Sequence, residues 1–147
     1  MLECIEHLNK YGDYYLPEIE NLLLQAPTIN TSPVFKSGVL GNYFVKVVQP
    51  DSGKKMKALA SMDPTLSDLS ITTLDKFLKQ LNKLEHLLEQ SKRADLTKLK
   101  TSVTLSRFLK MRLGDTFRFL VAHNQRHILQ AERAVAHTSQ HTPLHAT

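Results

Sequence analysis

The chain has 147 residues, of which 41% are hydrophobic and 22% charged. That suits one globular domain with a single core, and it excludes a disordered chain and a collagen-like or low-complexity polymer. No apolar run approaches the roughly 20 residues of a membrane span. The first residues, Met1 to His7, carry acids where a signal peptide needs a basic start and an apolar stretch. The single cysteine, Cys4, offers no intramolecular disulfide, and both features point to a reducing, cytoplasmic setting. Nineteen basic and 14 acidic residues leave a net charge of +5, spread along the chain except for Lys54, Lys55 and Lys57. Nucleic-acid binders normally show a basic stripe with interleaved aromatics, so a mildly basic, solvated surface is the favoured reading.

Residues 2 to 25 have helical periodicity in Ile5, Leu8, Tyr15, Ile19, Leu22 and Leu23, with Pro17 placed to kink or break the helix near Tyr15. Residues 27 to 69 hold four of the six prolines and three of the five glycines. They read as a long connection with a short helix or strand around Leu40 to Val48, and any sheet is expected here, as a short hairpin. Such a connector in a small domain is usually functional or a lid over the core.

Ser70 to Lys92 is the cleanest helix, with Leu74, Phe77, Leu78, Leu81, Leu84 and Leu88 on one stripe and Ser70 or Thr72 as its cap. His86 lies off the stripe and should be solvated. Thr104 to Ala136 reads as helical, either unbroken or divided at Gly114-Asp115, where Asp115 caps the second half. Its inward face holds Leu105, Leu109, Leu113, Thr116, Leu120, His123, His127, Ala131 and Ala134. Residues 137 to 147 lack apolar periodicity and form a tail expected to fray, outside a domain of residues 1 to 136.

His123 and His127 are the informative feature. A spacing of four puts both imidazoles on one helix face within reach of one metal ion, in the middle of an apolar stripe. Two neutral histidines buried there without partners would be costly, and a metal removes that cost. Hydrogen bonding to a neighbouring carboxylate or to backbone is the commoner explanation of such a pair. A third ligand must come from another helix, and His7 is the best placed. Cys4, one turn before it, is either a fourth ligand or a small buried hydrophobe. His137, His141 and His145 share the spacing of four but have no rigid frame.

The segment Leu113 to Arg133, with His123-Asn-Gln-Arg-His127 followed by Gln130, resembles the last helix of the DinB-like superfamily. Cys4 to Pro17, with its His7-Leu8 pair, resembles the helix that carries the family's first histidine. Phe35 to Phe44 and Lys54 to Ala58 resemble the family's connector. The resemblance implies an all-α four-helix bundle with a three-histidine metal site formed by His7, His123 and His127. It implies zinc, nickel or iron as the metal, and a small-molecule thiol or an electrophile as substrate.

Members normally have one more helix before that of His7, and this chain offers three long helices. Either it starts at a downstream methionine or it completes its core with a second copy as a homodimer, and the first is favoured. Two function classes follow: a metal-dependent thiol transferase or hydrolase, and a non-catalytic bundle whose metal site is structural or vacant. Nucleic-acid binding is the weakest reading. Arg126 and Gln130 orient a ligand or make ordinary inter-helix hydrogen bonds, the latter being favoured. Tyr11 and Tyr14 line the pocket or pack with their hydroxyls at the surface.

Overall fold

The computed structural model describes residues 1–29, 34–53, 58–65 and 67–140; the lysine cluster at 54–57 and the end of the tail lie outside them. Helix α1 spans Leu2–Gln25 and buries Ile5, Leu8, Tyr11, Tyr15 and Ile19, at the three- and four-residue spacing of one face. Pro17 sits inside it without breaking it. Pro17 and Asp13, whose carbonyl loses its partner to the proline ring, share the exposed face, where water can serve the carbonyl instead.

Helix α3, Ile71–Ser91, begins at the expected cap: the Ser70 hydroxyl accepts from the Thr72 amide, and the Ser70 amide donates to the Thr73 hydroxyl. It packs along α1. Across this seam Asn9 donates to the Thr73 carbonyl at 3.0 Å and Gln80 to the Asn9 carbonyl at 3.1 Å. Ion pairs Lys76–Asp13 and Lys83–Glu20 flank it, each partly exposed and worth at most about 1 kcal/mol. Leu78, expected on the buried stripe, is 51% exposed, and Leu87 fills the core in its place. His86 is exposed as expected.

The last helix, α4, runs Leu113–Gln140, so the expected start at Thr104 is corrected. Residues 100–112 form an antiparallel hairpin instead, β1 Lys100–Val103 and β2 Ser106–Arg112, and it lies outside the 27–69 region where any sheet was expected. The cause is a shared period. Leu105, Leu109 and Leu113 recur every four residues, which is one helical turn but also two strand repeats. In β2 the strand repeat wins, with Met111 buried and Phe108 and Lys110 exposed. The hairpin is tied down by Glu18 of α1, which accepts from the Ser102 amide at 2.8 Å, and by a buried 2.7 Å bond between the Thr101 and Thr116 hydroxyls.

Ala134, placed on the inward face by its spacing, is exposed; α4 also includes the first four residues of the expected tail. His141 and His145 lie outside the described residues.

Helix α2, Val39–Val48, resolves the ambiguity around Leu40 to Val48 and supplies the fourth helix, packed on α4. Asp115 does not cap its own helix. It is fully buried and receives the Gly38 amide at the N-terminus of α2 at 2.8 Å, the Ser37 hydroxyl, and Arg118 at 3.2 Å. The negative carboxylate sits where the dipole of α2 favours it. The other end of α2 is held by Arg126, which donates to the Val47 carbonyl at 3.1 Å, the Gln49 carbonyl at 3.4 Å and the Ser52 hydroxyl at 2.8 Å.

The close approach of α2 to α4 depends on Gly41, where a Cβ would lie 2.2 Å from the Asp115 carboxyl carbon. Gly41→Ala should gain up to about 1 kcal/mol of helix propensity. It should lose about 1–3 kcal/mol by overpacking against a carboxylate pinned by three donors. The expected net effect is a melting temperature lower by several degrees, read in a thermal melt. An unchanged or higher value would show that Asp115 can move aside.

Candidate metal centre

Helices α1 and α4 bring His7, His123 and His127 together. One ring nitrogen from each lies within 4.8 Å of the others, and the ring centroids are 4.6 to 5.2 Å apart. His7 and His123 are buried and His127 is half-buried. Each ring is fixed by a different neighbour. His7 Nδ1 donates to the Met62 carbonyl at 2.8 Å, which leaves Nε2 to face the other two rings. His123 packs edge-on against Tyr11 at 4.4 Å and stacks on Phe119 at 5.3 Å. His127 Nε2 lies 3.1 Å from His123 Nε2.

Burial sets the electrostatics. It pushes His7 below the ordinary imidazole value, opposed by the Met62 carbonyl and the Asp63 carboxylate. It holds His123 well below that value, helped by His127, His7 and Arg126, and it lowers His127 to about 4. At neutral pH all three rings are therefore uncharged, as ligands to a cation must be.

As it stands the cluster is poorly satisfied. Nδ1 of His123 and Nδ1 of His127 are buried without a hydrogen-bond partner among the described residues. Such orphans cost about 1–3 kcal/mol each. Two nitrogens bound 2.0–2.1 Å from one ion stand about 2.9–3.4 Å apart for angles between 90° and tetrahedral. The observed 3.1 Å falls inside that range. The three histidines could hold a metal ion.

A sequence model of the DinB superfamily matches residues 1–131. The chain belongs to the DinB superfamily. No curated protein and no solved structure matches it. Membership accords with both the helical bundle and the converged histidines.

The remaining candidates of this DinB superfamily chain separate cleanly. Cys4 is half-buried and lines the same cleft as His7, but it is not part of the converging set. Tyr11 is buried and lines the cleft; Tyr14 does not, and its hydroxyl reaches the Val103 carbonyl at 3.5 Å. Arg126 makes the inter-helix hydrogen bonds described above, as the sequence favoured, and it borders the cleft along with Gln130.

Sequence reasoning missed the cleft itself. A cavity of about 380 Å³ opens beside the histidines, walled by Phe44 and Val48 of α2, Val103 and Leu105 of the hairpin, and Leu59. These walls come from segments distant in sequence, so no local pattern marked them. Tyr15, on the same cleft, accepts from the Thr104 amide at 3.3 Å, and burial pushes its hydroxyl up to about 12.

A pH dependence follows for the metal-free protein. The folded imidazoles bind protons less readily than unfolded ones, whose value is about 6.5. Stability is then fully present above about pH 7 and is lost as the pH falls through 6.5 toward 4. Urea midpoints measured in chelator at pH 7.5 and 5.0 should show the loss, and His127→Gln should flatten it. A midpoint unchanged between the two pH values would refute the neutral cluster.

Proposed function

We propose that His7, His123 and His127 hold a divalent metal ion (zinc, nickel or iron) and that the protein is a metal-dependent enzyme, a thiol S-transferase or hydrolase, working in the cytoplasm on small molecules. The observation that carries this reading is the convergence of three neutral imidazoles at the wall of an open cleft. When bound, the ion supplies Lewis acidity that lowers the pKa of a thiol or water held beside it. His7 is oriented for its part by the Met62 carbonyl, and His123 by Tyr11 and Phe119. Tyr11 and Phe119 shield the rings with apolar surface, and the cleft they line beside the histidines gives a substrate access.

The cleft also favours an enzyme over the other reading, a bundle in which the metal merely staples helices. Structural zinc sites take four protein ligands and close around the ion. Here three converge among the described residues, and Cys4, on the same cleft, stands outside the set.

Elemental analysis of protein purified without a histidine tag tests the metal. His127→Ala should lower bound metal by about tenfold or more while helical content is largely kept, and His86→Ala should change neither. Equal metal loss in both variants would refute the site. Conjugation of a thiol to an electrophilic aryl chloride, dependent on the metal and abolished by His127→Ala, would identify the transferase. Loaded protein inactive in that assay and against ester substrates would leave the non-catalytic bundle.

A further inference from the structure

The lining of the cleft selects what can enter it. Its walls are aromatic and aliphatic: Tyr11 and Tyr15 from α1, Phe44 and Val48 from α2, Val103 and Leu105 from the hairpin. Among the described residues the lining holds two charged side chains, Glu3 on the exposed face of α1 and Arg126. The Arg126 guanidinium is committed to the Val47 and Gln49 carbonyls and the Ser52 hydroxyl. The three imidazoles at the inner end are neutral. Away from the ion, a carboxylate, phosphate or sulfonate on the ligand's body would shed its water against these walls and meet, among the described lining residues, a cation already engaged. An apolar body would lose nothing polar and would bury its surface against rings and methyl groups. The cavity of about 380 Å³ lies within the ordinary range for small-molecule sites.

We propose that the cleft takes ligands with an uncharged, apolar body of about the size of a benzyl group and one donor atom directed at the three imidazoles. This rests on the metal reading above. A ligand would slide its body between Phe44 and the hairpin turn while its donor reaches the far end, where the histidine nitrogens converge. Leu105 belongs to that apolar path. It lines the cleft and is still 54% exposed, so it serves the ligand more than the fold.

The test uses the full chain loaded with cobalt(II), whose visible absorption reports each thiol added. Benzyl mercaptan and 2-mercaptoethanesulfonate present the same donor on different bodies. Benzyl mercaptan should bind about tenfold tighter, equivalent to about 1.4 kcal/mol. Leu105→Ser should weaken benzyl mercaptan by about threefold, through lost apolar contact, and leave the sulfonate thiol unchanged. Equal or tighter binding of the sulfonate thiol would overturn the proposal and mark an anion site. If the cobalt bands never develop, the metal reading fails on its own. The apolar cleft is then decided with metal-free protein and toluene, by line broadening in proton NMR. Broadening that Leu105→Ser reduces would sustain the apolar body, and none would overturn it.

Discussion

Three imidazoles are taken out of water at the seam between α1 and α4, and much of the molecule is arranged around that desolvation. Neutral rings are buried there at a cost unless their nitrogens find partners or an ion, because an unpaired polar atom in the interior costs more than a typical hydrogen bond gains. His7 solves half of its problem with the Met62 carbonyl, carried by the short turn Ala60–Met62. His123 and His127 face each other through their Nε2 atoms, and Gln130 adds a side-chain hydrogen bond to His127. Aromatic packing supplies the rigidity that hydrogen bonds do not. Tyr11, Tyr15 and Phe119 form a layer with centroids 5.9 to 6.3 Å apart, and His123 is seated at its edge. The apolar face that closes the bundle is thus the same face that aims the rings.

Helix α2 is placed by two charged side chains of α4 rather than by its own length. At ten residues it would be marginal alone. Asp115 grips its N-terminus and Arg126 its C-terminal carbonyls, so each charge meets the end of the dipole it favours. The distance between these anchors along α4 matches the length of α2, and the two helices lie against each other with Gly41 at the tight point. Because Phe44 and Val48 wall the cleft, this clamp also sets the width of the space beside the histidines. Arg126 sits between the two histidines in sequence, so the residue that positions the wall and the residues that line the inner end share one turn of helix.

Elements governed by local periodicity could be read from the sequence, and those governed by distant contacts could not. Helix α3 falls within one residue of its expected ends, because Ser70 supplies a cap and the leucines a stripe. The histidine pair was legible for the same reason, since a spacing of four fixes a shared face. His7 was singled out by its place in the first amphipathic helix and by the resemblance, and the bundle geometry brings it across. The hairpin was missed because a repeat of four fits both a strand and a helix. Here alternation of Met111 with exposed Phe108 and Lys110 was the better guide. On α3, Leu78 and Leu87 lie on opposite faces of the helix, about 180° apart, and the crossing with α1 covers the face of Leu87. Asp115, Met62 and the cleft walls act through residues tens of positions away, so single-sequence patterns carry no trace of them.

The economy of the site argues for a ligand beyond the protein. A core that needed only cohesion would place leucine or phenylalanine at 123 and 127, where the apolar stripe of α4 already runs. Histidine there costs stability in the metal-free state, through desolvation of the Nε2 atoms that face one another. An ion recovers that cost, yet a purely structural site would surround it, and this one leaves a side facing an apolar cleft. Among the described residues the one lining cation, Arg126, is turned to backbone carbonyls. What remains at the mouth is a hydrophobic approach to three neutral nitrogen donors. That combination discriminates by the body of a ligand for entry and by its donor atom for capture, two selections made by different helices.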